Sequence, residues 1–293
     1  MTGPTVVILS PGDATAAGPA IASAAALGLP VVVGVTGQRA VGAFDPAVRV
    51  VPVTWREDFA DARNQVLDQV DAPWLLWLDD DERLVACAAD LECLSDAAYG
   101  VWIRDRADLT PRPIVRLQRH AAGARWAGAV HEMLTGLGDG DPVILDGVVI
   151  EHDGYADTAI LRAKRERNHA LAVAARRRGE DSWVLALEDA RYAEATGCDA
   201  FRAWLAAFNH PEAAPARPGG HDGRVEAAVA LAAMGYVTPA RLLLAENPGI
   251  VPLALALLVA EVAEGREDGA RLDALARRLG GGFDRRYAFP VVL

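Results

Sequence analysis

The sequence predicts an α/β domain with a largely parallel sheet, followed by an all-helical region. Two observations carry this reading. Up to Leu78, short β-branched runs alternate with helix-periodic stretches. From about Ala159 no strand pattern recurs until the last residues, and amphipathic stretches separated by Gly179, Gly197, Gly235 and Gly265 take over. The expected division is 1–158 for the α/β domain and 159–293 for the helical one.

The elements follow in order. Thr5–Leu9 (TVVIL), bounded by Ser10-Pro11-Gly12, reads as a buried strand. Residues 14–28 are Ala-rich and helix-like. Pro30–Val35 and Val48–Val53 read as further strands. Thr54-Trp55-Arg56-Glu57 has capping-box spacing and predicts a helix with Phe59, Ala62, Val66, Leu67 and Val70 on one face. Trp74–Leu78 (WLLWL) is a continuous apolar run, as expected of a central strand covered on both faces. Strands are also expected at 101–104, 114–117 and 143–151, joined by Gly-, Pro- and Asp-rich loops in hairpin fashion. Helices are expected at 159–178, 182–196, 199–208, 222–234, 238–245, 251–263 and 269–279. Asn209–Gly223, rich in Pro and Gly, reads as a loop.

Bulk composition narrows the function. The chain has 293 residues, 52% of them hydrophobic, and a formal net charge of -11. That excess of acid disfavours nucleic-acid binding, which needs a broad basic face. Cys87, Cys93 and Cys198 form no CxxC pair, which argues against a disulfide framework or structural zinc and for a reducing, cytoplasmic setting. Ala14–Gln38 lacks charge and has the length of a membrane span, but Pro19, Pro30, Gly18, Gly28 and Gly34 interrupt it. It reads as a buried helix followed by a buried strand.

The chemistry centres on Asp79-Asp80-Asp81-Glu82, directly after the central strand. Ligands of open α/β sheets bind beyond the carboxyl ends of strands. Four adjacent carboxylates repel one another, and a divalent cation would relieve the repulsion. Oxygen ligands suit Mg²⁺ or Mn²⁺. A solvated acidic turn is the bland alternative.

The stretch Trp55-Arg56-Glu57-Asp58-Phe59-Ala60-Asp61-Ala62-Arg63-Asn64, followed by WLLWL-DDDE, resembles the family-2 glycosyltransferases of the GT-A fold, which have a Rossmann-like nucleotide-sugar-binding mixed sheet. Two later segments extend the likeness: Arg116-Leu117-Gln118-Arg119 with Arg125-Trp126-Ala127-Gly128-Ala129-Val130-His131-Glu132, and Glu151-His152-Asp153-Gly154-Tyr155 with Lys164 and Arg167-Asn168. The pattern is most like the branch of glycocin-type peptide S-glycosyltransferases and lipopolysaccharide-core glucosyltransferases. It covers roughly residues 50 to 170. The helical remainder more loosely resembles TPR-type extensions, a candidate surface for acceptor recognition and for self-association.

The resemblance implies an inverting, metal-dependent hexosyltransferase that uses a nucleotide-diphosphate sugar and a small-molecule, peptide or glycan acceptor. Asp79 and Asp81 take the two Asp positions of a D-x-D motif, with Asp79 on ribose, phosphate or metal and Asp81 on metal. Asp80 reads as a solvated bystander. His152 is a third candidate ligand, or else a buried hydrogen-bonding histidine. Arg63 is implied near the nucleotide base; the alternative is a helix-surface arginine paired with Asp58 or Asp61. Glu132 is the expected general base and His131 the alternative; on a strand only one would enter the site. A salt bridge of Glu132 to Arg116 or Arg125 is the structural option. Arg116, Lys164 and Arg167 are candidates to hold the diphosphate. The family's base-binding Asp after the second strand is absent, and Thr36 or Gln38 stands there instead. Two rival readings are a nucleotidyltransferase, which would want a basic residue in the loop Ser10–Asp13, and a non-catalytic scaffold on a decayed transferase domain.

Overall fold

Strand β1 (Thr5–Ser10) shows how the sequence builds the domain. Val6 and Ile8 face one side, Val7 and Leu9 the other, and all four are buried. Such a strand needs cover on both faces. Helix α1 (Ala14–Ala26) covers the Val6 side through Ala20 and Ala24. Helix α2 (Phe59–Leu67) covers the Val7 side through Ala62 and Val66. The computed structural model describes residues 3–37, 43–88, 90–105, 112–137, 142–152, 158–213 and 223–236.

Strands β2 (Val31–Val35), β3 (Arg49–Pro52) and β4 (Trp74–Asp79) run parallel to β1. Then follow β5 (Glu82–Cys87), β6 (Ala98–Asp105), β7 (Arg112–Arg119), the short β8 (Arg125–Ala127) and β9 (Met133–Thr135), and β10 (Ile144–His152). Eight of them form one mixed sheet in the order β3-β2-β1-β4-β7-β6-β10-β5, while β8 and β9 pair separately. The α/β architecture with a mixed sheet and a helical region after it agrees with the sequence.

Three details differ from expectation. The helix with Arg63 does not start at Thr54. Glu57 has φ 56°, a left-handed value incompatible with a helix interior, and Asp58 is the cap, accepting from the Asp61 N–H at 2.8 Å. The acidic run is a tight turn, and the chain returns at once as β5, antiparallel to β10. Its short alternating segment buries Leu84 but leaves Val85 exposed, so it carries little strand signal. The β8–β9 pair is too short for any periodicity to announce it.

The chain divides into two compact units, 1–164 and 165–293, with the boundary inside α3 (Thr158–Arg177). The second unit contains α4 (Trp183–Thr196), α5 (Ala200–Phe208) and α6 (Gly223–Ala233), around Trp183, Leu187, Trp204, Phe208 and Leu231. Ser182 and Asp199 cap α4 and α5, and Gly197 ends α4 at φ 69°. Arg176 pairs with Asp189 at 2.6 Å, and Arg178 pairs with Glu180 at 3.0 Å across Gly179. The expected helices at 238–245, 251–263 and 269–279 lie outside the described residues, as does Gln38. Among the described residues no helix is long and apolar enough to cross a membrane.

One glycine connects fold and site. A Cβ on Gly34 of β2 would run into the Val66 side chain of α2 and come within 3.3 Å of Leu9. Gly34 thus lets α2 lie close on the sheet, three residues along from Arg63. Gly34→Ala is expected to lower unfolding free energy by about 1–3 kcal/mol through overpacking, measured by urea denaturation.

Candidate functional site

The carboxyl ends of β1, β2 and β4 lie on one edge of the sheet because the three strands are parallel. From β1 the chain passes to β2 on one side, and β4 lies on the other. This reversal of order opens a crevice where ligands of such sheets bind. Leu9 is in register with Asp79, so the acidic run stands at that crevice.

Helix α2 projects Arg63 into the cluster, and the guanidinium holds it together. Its Nε donates to Glu132 Oε1 at 2.6 Å and its Nη2 to Asp79 Oδ1 at 2.7 Å. The side chain is only 3% exposed. It lies beside the edge-to-face pair of Trp77 and Trp126, 5.2 and 4.9 Å from the ring centres. Aromatic faces attract a cation most strongly where water is excluded. Asn64 fixes the wall behind it: its amide donates to the Trp126 carbonyl at 2.9 Å and its oxygen accepts the Trp126 N–H at 3.0 Å. Gln118 accepts from Trp77 Nε1 at 3.1 Å and donates to the Ala124 carbonyl.

Arg116, on β7, is the second buried cation. Its Nη2 donates to Asp79 Oδ2 and to Glu82 Oε1, both at 2.8 Å. Glu82 Oε2 accepts the Asp79 N–H at 2.8 Å. Two donors, Arg63 Nη1 and Arg116 Nε, are buried without an acceptor in the protein. Asp81 faces another way: its Oδ2 accepts from Lys164 Nζ at 2.6 Å and lies 3.3 Å from His152 Nε2.

These contacts set the charges. Burial pushes the Asp79 carboxyl up, but Arg116 and Arg63 outweigh it and hold the group well below the usual carboxylate range. Burial also raises Asp81, yet hydrogen bonds from His152 and Lys164 bring it down to about 2. Burial raises Glu82, only partly offset by Arg116. Asp80 is pushed up to about 6 by burial and then by the charges of Asp81 and Asp79. With Asp81, Arg83, Ala16 and Pro19 it lines a shallow pocket of about 220 Å³. Asp80 is therefore a half-buried, strained carboxylate rather than a freely solvated one.

Asp81 and His152 offer one oxygen and one imidazole nitrogen at contact distance, a donor pair suited to a hard divalent cation. Asp79 is committed to two arginines instead. Among the described residues no three His, Cys, Asp or Glu side chains gather into a metal-holding group. Asp81 and His152 are thus the two described side chains that could contribute to holding such a cation.

The other candidates separate. Glu132 meets Arg63 rather than Arg116 or Arg125; Arg125 pairs with Asp68 at 2.6 Å. Arg63 meets neither Asp58 nor Asp61. His131 and Glu132 lie in the turn before β9 and not on a strand. His131 is exposed and has φ 51°, whereas the Glu132 side chain is 13% exposed. Thr36, at the end of β2, turns its hydroxyl to the Ser10 carbonyl at 3.3 Å. Arg167 falls in the second unit, where it bonds Asn168. Sequence reading passed over Glu82 as a site residue, and with it Asn64, Gln118 and the two tryptophans. The A-R-N and R-W elements contain Asn64 and Trp126, but nothing in spacing says that an indole pair will pack beside an arginine.

No protein-family model matches the chain, and no curated protein does. Among solved structures it is similar to S. aureus TarS residues 1–349, with 11% identity over 91% of this chain and 92% of that one, at TM-score 0.40. The same TarS fragment in complex with UDP-GlcNAc is 11% identical over 95% and 92%, at 0.38. The mannosyltransferase PcManGT from Pyrobaculum calidifontis, in complex with GDP-Man and Mn²⁺, is 16% identical over 88% and 85%, at 0.38.

The charge arrangement has two measurable consequences. Arg63→Met leaves Glu132 without its cation and is expected to cost about 3–5 kcal/mol of stability. Arg63→Lys keeps the charge but cannot reach both carboxylates, and is expected to cost about 1.5–3 kcal/mol; denaturant titration distinguishes the two. For Asp80 the folded value lies above the unfolded one, so the folded state prefers the protonated form. Stability is full below 3.8 and falls as pH rises to about 6. Asp80→Asn is therefore expected to stabilise the ligand-free protein near pH 7 by about 1 kcal/mol after allowance for solvent screening. Near pH 4 the gain should vanish, as thermal scans at both pH values would show.

Proposed function

We propose that the chain is an inverting glycosyltransferase that moves a hexose from a nucleoside-diphosphate sugar to a small-molecule, peptide or glycan acceptor. The observation that carries this reading is convergence. Arg63 links Asp79 to Glu132, 69 residues further along the chain from the arginine, and Asp81 meets His152. Four segments that resemble successive motifs of one enzyme family thus meet at one sheet edge.

In this reading Glu132 is the general base. Arg63 engages Oε1, and Oε2 is the oxygen assigned to the acceptor proton as the nucleophile attacks the anomeric carbon. The anomeric bond to the diphosphate breaks as the new glycosidic bond forms on the opposite face. His131, exposed beside it, is the alternative base. Asp79 is assigned to the donor's ribose or phosphate side, ordered by its two arginines. The unaccepted N–H groups of Arg63 and Arg116 are the donors assigned to ligand oxygens. Thr36 is assigned to the nucleotide base. Asp81 and His152 would hold Mn²⁺ or Mg²⁺, which supplies charge to the leaving diphosphate.

The test combines binding and turnover. Nucleoside diphosphates with Mn²⁺ should raise the melting temperature, since a ligand of the native state stabilises it. Asp81→Ala should abolish the Mn²⁺-dependent part. Glu132→Gln should keep nucleotide binding and lower turnover by about 10²–10⁴-fold, the usual contribution of a general base, as followed by mass spectrometry of donor hydrolysis or transfer. If no nucleotide stabilises the protein, a non-catalytic scaffold is the better reading. Native turnover in Glu132→Gln would remove Glu132 from the base role.

A further inference from the structure

The four carboxylates of the acidic run differ in the cations that balance them. Asp79 is held by Arg63 and Arg116, whose side chains are 3% and 8% exposed. Glu82 is held by the same Arg116. These cations are forked and buried. Asp81 is different. The cation that donates to its Oδ2 is Lys164, whose side chain is 27% exposed and belongs to α3. A lysine ammonium is a compact, strongly hydrated charge on a four-carbon stem, and it re-enters water readily. The oxygen it occupies is the one 3.3 Å from His152 Nε2, and thus the oxygen of the candidate metal pair.

We propose that Lys164 is an exchangeable internal cation: its ammonium and a divalent metal compete for Asp81 Oδ2, and metal entry releases Lys164 from that carboxylate. The proposal rests on the assignment of Asp81 and His152 as metal ligands, but not on the sugar-transfer reading. Without metal, Lys164 keeps Asp81 charged and in place beside His152. With metal, its ammonium is freed from Asp81 toward solvent and toward the anionic groups of a metal-bound ligand. Metal affinity is thereby weaker than the bare Asp81–His152 pair would give. The chain does not need an ion to keep this carboxylate balanced.

Two measurements on the full-length protein test this with Mn²⁺ alone, so that no nucleotide or acceptor is needed. First, Mn²⁺ titration followed by electron paramagnetic resonance should show tighter binding by Lys164→Met than by the wild type, by about tenfold. Lys164→Arg should bind no more tightly than the wild type. Second, in the unmodified chain, labelling of Lys164 by an amine-reactive reagent, read by mass spectrometry, should rise several-fold when Mn²⁺ is added. That second readout stands even if the variant does not fold. Equal or weaker Mn²⁺ binding by a folded Lys164→Met, absence of binding in both proteins, or Lys164 labelling indifferent to Mn²⁺ would each overturn the proposal. Exchange at Lys164 in a protein that transfers no sugar would sustain it while removing the transferase reading. Transfer without any effect of Mn²⁺ on Lys164 would do the reverse.

Discussion

The buried guanidinium of Arg63 is the constraint on which the candidate site depends. A charge in that position is costly unless it is paired and its hydrogen bonds are met. Here one N–H goes to Glu132 and another to Asp79. An arginine often spends its fork on both oxygens of a single carboxylate. Splitting it between two brings two like charges side by side and fixes their separation. The indoles of Trp77 and Trp126 close the arginine off from water. Much of the local architecture follows from this need. Gly34 lets α2 approach, Asn64 clamps β8, and Gln118 orients Trp77.

The acidic run looks like an excess of negative charge in the sequence, but much of that charge is balanced within the fold. Arg63 and Arg116 serve Asp79, Arg116 serves Glu82, and Lys164 serves Asp81. Repulsion among adjacent carboxylates therefore does not by itself demand a metal. The residual strain falls on Asp80, which has neighbours of its own sign on both sides. It lines the shallow pocket with Ala16 and Pro19.

Much of this was legible in the sequence because it is written in local patterns. Continuous apolar runs gave away β1, β2 and β4, and the acidic run at the end of WLLWL lay where the topology places ligands. What could not be read depends on contacts between distant residues. The capping-box spacing at Thr54 was satisfied in letters, yet Glu57 adopts a left-handed backbone and Asp58 caps α2. Strand β5 alternates too briefly to announce itself and exists through pairing with β10. Whether Arg63 would meet Asp61, two residues before it, or Glu132 across the sheet edge is a matter of burial, and periodicity is silent on that.

The turn that carries His131 and Glu132 shows how such a distant contact is made dependable. It lies between two three-residue strands, too short to be rigid on their own. Three links tie it to α2. The Phe59 N–H, at the start of the helix, donates to the Ala129 carbonyl at 3.0 Å. Asn64 bonds both backbone groups of Trp126. Arg63 then takes Glu132 itself. Within the turn, Gly128 has φ 98° and His131 has φ 51°. A left-handed histidine is unfavourable unless its surroundings over-determine it. The strain at His131 buys the reversal of direction that sends Glu132 inward while His131 remains exposed. The helix that carries Arg63 therefore also dictates where Glu132 stands, so that one element sets the distance between Asp79 and Glu132.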